Sequence, residues 1–243
     1  MIRFVRGFLV IMLFIIFGIG SLILSFILIP AGGIFIKGGK KREYFSHFIH
    51  KLWAWYTGVL ISVGLIKIEK HNVEQMKGKI IVATHPSFID IVILIGIYDN
   101  SLCLAKKEIL NNIFMKNIVK NVYIPNNVEL DEFKDICKEA LNDGYNIIIF
   151  PTGTRTVEGE DLKIHKGAAA LQIASGADII PVKIDCDYPF LQKGRPVYDA
   201  SDKVITYTIT QCEPIKLSQF FEQSEIKLRK EISEKIKFDF TQN

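Results

Sequence analysis

Hydrophobic and polar positions divide the chain into stretches of different character. From Gly7 to Ile36, "GFLVIMLFIIFGIGSLILSFILIPAGGIFI", no residue is charged, and the run exceeds the roughly 20 residues a helix needs to cross a bilayer. Pro30, Gly32 and Gly33 near its end are residues that stop a spanning helix or turn a re-entrant one, so both arrangements stay open. A secretory leader has an apolar region of only about 7–15 residues, so the run is expected to stay on the chain. Beyond it, Phe45, Phe48, Leu52, Trp55, Tyr56 and Val59 recur at spacings of three or four. That pattern predicts an aromatic-rich amphipathic helix, with Trp53 and Trp55 suited to the headgroup layer.

From about residue 66 the period shortens. The β-branched runs "KIEK", "KIIVATH", "SLCLAKK", "NVYIP", "YNIIIFP", "ADIIPVKID" and "KVITYTITQCE" alternate with helical stretches near 87–98, 108–120, 130–143 and 166–176. This alternation predicts an α/β fold: a central mixed, largely parallel sheet flanked by helices, preceded by an N-terminal membrane-associated helical segment. The expected division is 1–64 for the anchor with its amphipathic interfacial helix and 65–243 for the α/β domain. Residues 218–238, with Phe220, Phe221, Ile226, Leu228, Ile232 and Ile236 among many charges, predict a surface helix that closes the fold.

Composition narrows the classes. In 243 residues, 49% apolar, there is room for one full core plus an appendage. A net charge of +4, with lysines spread along the chain, argues against nucleic acid and fits an anionic membrane surface. Cys103, Cys137, Cys186 and Cys212 lie far apart, which reads as reduced core thiols. Lys37, Lys40, Lys41 and Arg42 outweigh Arg3 and Arg6 across the apolar run, which places the α/β domain on the cytoplasmic side of the inner membrane.

Two short segments carry candidate chemistry. In "IVATHPSFIDIVIL" a strand runs into a loop bearing His85, and Ser87 is placed to cap the following helix. Ser87 to Asp90 is itself a capping-box pattern, in which Asp90 only satisfies the helix start. The same geometry lets Asp90, in the first helical turn, reach back and orient the His85 imidazole as a general base. The second segment is "IIIFPTGTRT". Arg155 presents a fork of donors that suits phosphate or carboxylate, and Gly153 lets backbone approach an anion. A plain surface turn with Arg155 in a routine salt bridge is the competing reading. The P-loop lysine is missing, and no Gly-x-Ser-x-Gly elbow appears. His47 and His50 read as surface residues, His71 and His165 stand isolated, and no metal set is expected.

"HPSFID", followed by "FPTGTR" and then "KGAAALQIASGADIIPV", resembles the glycerolipid acyltransferase family, which includes the 1-acylglycerol-3-phosphate and other lysophospholipid acyltransferases. "PFLQKGRPVYD" is similar to small acyltransferases found with aryl-polyene or related lipid biosynthesis genes. The resemblance implies that His85 takes the proton of an acceptor hydroxyl, that Asp90 orients it, and that an acyl-CoA or acyl-carrier protein is the co-substrate, with no further cofactor. It implies that Thr152, Gly153, Thr154 and Arg155 form the block that holds the phosphate of a lysophospholipid acceptor, and Pro181 matches a later block. Two departures stand out: Thr152 occupies the family's glutamate position, and "VYIPNN" lacks the arginine of a Phe-Ile-x-Arg run. Lys106, with Lys107, is the candidate substitute charge, with an ordinary solvated pair ending a strand as the equal alternative. The alternative class is a non-catalytic, membrane-anchored lipid-binding protein of the same fold.

Overall fold

A computed structural model of the chain describes residues 2–36, 40–105, 118, 123–125, 129–157, 159, 161–221 and 224–242. The strands are β1 (Ile66–His71), β2 (Ile80–Ala83), β3 (Ser101–Ala105), β4 (Tyr123–Pro125), β5 (Asn146–Ile149), β6 (Ile179–Cys186) and β7 (Ile205–Gln211). Each overlaps a β-branched run read from the sequence, β1 and β6 extending a residue beyond theirs. The helices are α1 (Ile2–Ile23), α2 (Ile29–Phe35), α3 (Lys40–Ser62), α4 (Asp90–Ile97), α5 (Leu130–Asn142), α6 (Gly167–Ser175) and α7 (Glu225–Thr241). The helix expected near 108–120 lies almost wholly outside the described residues.

Among the described residues the strands form one seven-stranded sheet of order β1-β7-β6-β2-β5-β3-β4. Strands β6, β2, β5, β3 and β4 run parallel, β7 is antiparallel to β6, and β1 is parallel to β7. The mixed, largely parallel sheet is therefore observed. β2 and β5 are buried at every position, as strands covered on both faces must be. Alternation sends Ile81, Ala83, Ile148, Ile180 and Val182 into one core with α1, α3 and α4. Ile80, Val82, Ile147, Ile149 and Ile179 face the other, with α5, α6 and α7.

The apolar N-terminus continues through Pro30 as helix. Proline has no N–H and crowds the carbonyl four residues back, and here the π-helical turn Leu24–Leu28 widens the ladder just ahead of it. The whole length packs along α3: Tyr56 Oη–H donates to Leu13 O at 3.2 Å, Phe17 stacks on Trp53 at 5.2 Å, and Gly32 lies against the Phe45 ring. Of the two tryptophans expected at the headgroup layer, Trp53 is instead buried by this packing, while Trp55 is exposed.

The first turn of α1 is pinned to the domain. Arg6 donates to four carbonyls, Ser201 O at 2.8 Å, Gly64 O at 2.9 Å, Leu65 O at 3.1 Å and Lys203 O at 2.7 Å. Arg3 reaches Ala200 O and the Tyr188 hydroxyl. On the inner side α3 crosses α4 so closely that a Cβ on Gly96 would stand 3.0 Å from Ala54 N. His47 and His50 tie the same helices, to Asp99 Oδ2 and Ile95 O, both at 2.7 Å. At the far end the expected helix over 218–238 is split: Leu217–Gln219 is a 3-10 turn and α7 starts at Glu225. Ile232, Ile236 and Phe240 of α7 are buried, whereas Phe221 and Ile226 face solvent.

Candidate active site

β2 lies between β6 and β5, and the loops that leave β2 and β5 emerge side by side at their carboxyl ends, where parallel sheets place ligands. Backbone and threonine bonds lock this edge. Thr84 N–H donates to Val182 O, its hydroxyl to Ile184 O at 3.0 Å, and Ile184 N–H returns to Thr84 Oγ1 at 2.6 Å. Thr156 N–H donates to His85 O at 2.8 Å, which joins the two candidate segments directly.

His85 Nδ1 lies 2.8 Å from Asp90 Oδ2, and the same oxygen accepts the Ser87 N–H at 2.7 Å. The helix starts at Asp90 with Ile89 as its N-cap and no side-chain cap bond, so Ser87 does not cap it as expected; one carboxylate oxygen instead holds both the preceding turn and the imidazole. Ser87 itself tightens that turn. Ser87 Oγ accepts from Ile89 N–H at 3.4 Å and from the Tyr207 hydroxyl at 2.8 Å, a contact spanning 120 residues of sequence. Asp90 and Tyr207 are fully buried, while the His85 side chain keeps 18% of its surface. Burial pushes the Asp90 carboxyl above its ordinary range, against the pull of His85, of the Ser87 N–H and of the Arg155 charge. Asp90 Oδ1 is buried without a hydrogen-bond partner among the described residues. Phe150 stacks on the imidazole at 4.1 Å and 22°.

In the neighbouring turn most donors are already committed. Gly153 has a left-handed backbone, φ +65°, and its N–H closes on Phe150 O at 3.0 Å, so it serves by lacking a side chain. The Thr152 hydroxyl donates to Thr154 O at 2.8 Å, and Thr154 is exposed. Arg155 spends one N–H on Leu191 O at 2.8 Å, stands 5.9 Å from the Phe88 ring centroid, and makes no other hydrogen bond to a described residue. Leu191 also accepts from Phe88 N–H at 3.3 Å and holds φ +54°, which is uncommon for a leucine. Lys106 and Lys107 lie outside the described residues. Pro181 sits in β6 opposite Val82 of β2, at the sheet edge that supports the site.

His85, Asp90, Thr152, Gly153, Thr154 and Arg155 are therefore brought into one region. Sequence reasoning missed Phe150, Tyr207 and Leu191, and left His165 isolated. Phe150 had a local signal, an aromatic residue ending a buried strand beside the second motif. Tyr207 and Leu191 had none, because they reach the site only through strand order. His165 returns to this turn: its N–H donates to Pro151 O at 2.8 Å, and its ring lies against Gly153. Among the described residues no three His, Cys, Asp or Glu side chains gather as a metal set.

Comparison with known proteins finds a family and relatives that the chain resembles. The acyltransferase family model matches residues 65–185, which contain both motifs. The chain is 23% identical over 180 residues to a chloroplast 1-acyl-sn-glycerol-3-phosphate acyltransferase of Brassica napus, covering 69% of this chain and 50% of that protein. It is 28% identical over 141 residues to the 1-acyl-sn-glycerol-3-phosphate acyltransferase of Bacillus subtilis, covering 55% and 69%. The chain spans about half the length of the first plant relatives it matches. The crystal structure of the 1-acyl-sn-glycerophosphate acyltransferase of Thermotoga maritima superimposes with a TM-score of 0.72 at 20% identity, over 99% of this chain and 98% of that one. That likeness extends the shared fold to the N-terminal helices. With both motifs at the carboxyl ends of adjacent parallel strands, and matched there by the family model, the chain belongs to the glycerolipid acyltransferase family.

Proposed function

We propose that the protein transfers an acyl group from an acyl thioester, acyl-CoA or acyl-carrier protein, to the free hydroxyl of 1-acylglycerol-3-phosphate or a related lysophospholipid. The observation that carries this reading is the His85–Asp90 pair, a partly exposed imidazole held by a fully buried carboxylate. With Nδ1–H donated to Asp90, Nε2 is the basic nitrogen that faces substrate. It takes the acceptor hydroxyl proton as the oxygen bonds to the thioester carbonyl carbon. Collapse of the tetrahedral intermediate breaks the C–S bond, and the imidazolium returns the proton to the leaving thiolate. General-base catalysis of this kind contributes about 10²–10⁴-fold. Phe150 limits how the ring can tilt, and Arg155 offers its free donors to the acceptor's phosphate.

The membrane association follows from α1 and α2. Phe4, Phe8, Ile15, Ile19, Phe26, Ile34 and Phe35 are exposed along a helix whose most apolar 18-residue stretch has a mean hydropathy of 2.8, while the opposite side packs on α3 and Arg6 holds the start to the domain. In this reading the helix lies along the domain and sinks its outer face into one leaflet, as interfacial helices do. Basic residues at both ends of the apolar run support a cytoplasmic face, whose anionic lipids attract positive charge beside the membrane.

The test is acyl transfer by the detergent-purified protein, wild type beside His85→Ala, from labelled acyl-CoA and acyl-carrier protein to a panel of hydroxyl acceptors. Transfer to lysophosphatidate that disappears with His85 is expected. A fully active His85→Ala protein overturns the mechanism, and a wild type inert towards every acceptor moves the assignment to a lipid-binding protein.

A further inference from the structure

The acceptor turn has a charge deficit. A phosphate monoester carries about −1.5 to −2 at neutral pH, yet Arg155 is the one cation the turn itself supplies, and its Nη1 is engaged by Leu191 O. The Thr152 hydroxyl and the Gly153 N–H donate within the turn. From Pro151 to Thr156 there is no carboxylate either, so nothing anionic on the turn competes with a ligand. Asp161, further along the same connection, is occupied by Lys237 Nζ at 2.7 Å.

His165 occupies the gap. A Cβ built on Gly153 would lie 3.5 Å from His165 Cδ2 and 3.6 Å from Nε2, so the ring touches the glycine where a side chain would displace it. The bond from His165 N–H to Pro151 O fixes the backbone there. The residue is exposed, and its ring makes no hydrogen bond to any described residue. It is therefore held in place with its nitrogens uncommitted, unlike His47, His50 and His85, whose rings are each bonded to a carboxylate or carbonyl.

We propose that His165 is a specificity-determining residue of the acceptor site, an imidazole that joins Arg155 in binding the phosphate of a phosphorylated lipid acceptor. This rests on the acyl-transfer reading above. A hydrogen bond to a charged group discriminates by about tenfold or more, so His165 favours a phosphomonoester over the same lipid without phosphate.

The experiment compares wild type, His165→Ala, His165→Phe and His165→Lys in detergent, with one acyl-CoA donor and two acceptors, lysophosphatidate and the matching monoacylglycerol. Thermal melting of all four shows that they fold alike, as an exposed position allows. Expected is a rise of about tenfold in the KM for lysophosphatidate for Ala and Phe, with kcat, the KM for acyl-CoA and monoacylglycerol transfer unchanged. Lys, which supplies N–H donors at the same position, recovers most of the loss. A wild-type-like Phe variant would mean that the ring only covers Gly153, and an equal rise in the donor KM would mean that it supports the turn; either overturns the inference. His85-dependent transfer by wild type to monoacylglycerol but not to lysophosphatidate overturns it too while leaving acyl transfer standing, and no transfer to either acceptor removes both.

Discussion

Asp90→Asn separates catalysis from stability. In the wild type one oxygen, Oδ2, serves two donors, Ser87 N–H at 2.7 Å and His85 Nδ1 at 2.8 Å, and Oδ1 is buried without a partner among the described residues. An asparagine can keep its carbonyl towards both donors, which buries an unsatisfied NH2 in the Oδ1 position, or turn its NH2 to His85, which forces the proton onto Nε2 and removes the base. The first option loses the charge assistance of the bond to an imidazolium, about 1.5–3 kcal/mol. The second removes general-base catalysis, about 10²–10⁴-fold. Together they predict a kcat lower by about 10²–10³-fold, or roughly 3–4 kcal/mol.

Folding stability should move the other way. Burial raises the Asp90 carboxyl above its unfolded value, so between the two values the native state holds more protons than the unfolded chain, and wild-type stability falls as pH rises through that window. Above its unfolded value the buried carboxyl costs the wild type stability that asparagine does not lose, and below the ordinary carboxylate range, about 4, that difference is gone. The assay is kcat at saturating acceptor beside urea midpoints at several pH values. Activity within threefold of wild type would refute the orienting role. A large loss of stability at neutral pH would show that the carboxylate acts as a structural cap.

Two further outcomes are expected. Gly96→Ala should destabilise by about 1–3 kcal/mol, because the added methyl meets the Ala54 backbone at 3.0 Å where α3 crosses α4; an unchanged urea midpoint would mean that the helices part easily. Phe8→Glu with Ile15→Glu, on the exposed side of α1, should strongly reduce co-sedimentation with anionic vesicles without lowering the melting temperature, since each apolar side chain contributes about 1.5–3 kcal/mol when buried. Unaltered vesicle binding would place the membrane contact elsewhere.

The chain order of elements was legible in the sequence because hydrophobic period is a local property. All seven strands fall on β-branched runs, α4, α5 and α6 fall on the predicted stretches, and His85 and Asp90 could be paired because a loop and the helix it enters are contiguous. The mixed, largely parallel sheet followed from the alternation of β-branched runs with helical stretches.

Tertiary structure alone decided what those runs meet. The apolar N-terminus satisfies the composition of a spanning helix, yet Arg6 on four carbonyls and Trp53 under Phe17 lay it along the domain, because packing against α3 competes with lipid for one of its faces. The adjacency of β2 and β5 brings Thr156 to His85, and the antiparallel β7 delivers Tyr207 to Ser87. The return of the chain after the turn sets His165 against Gly153. Asp90 shows the division within one residue: its place in a first helical turn is written in four consecutive letters, whereas its raised carboxyl pKa depends on every element that excludes water from it.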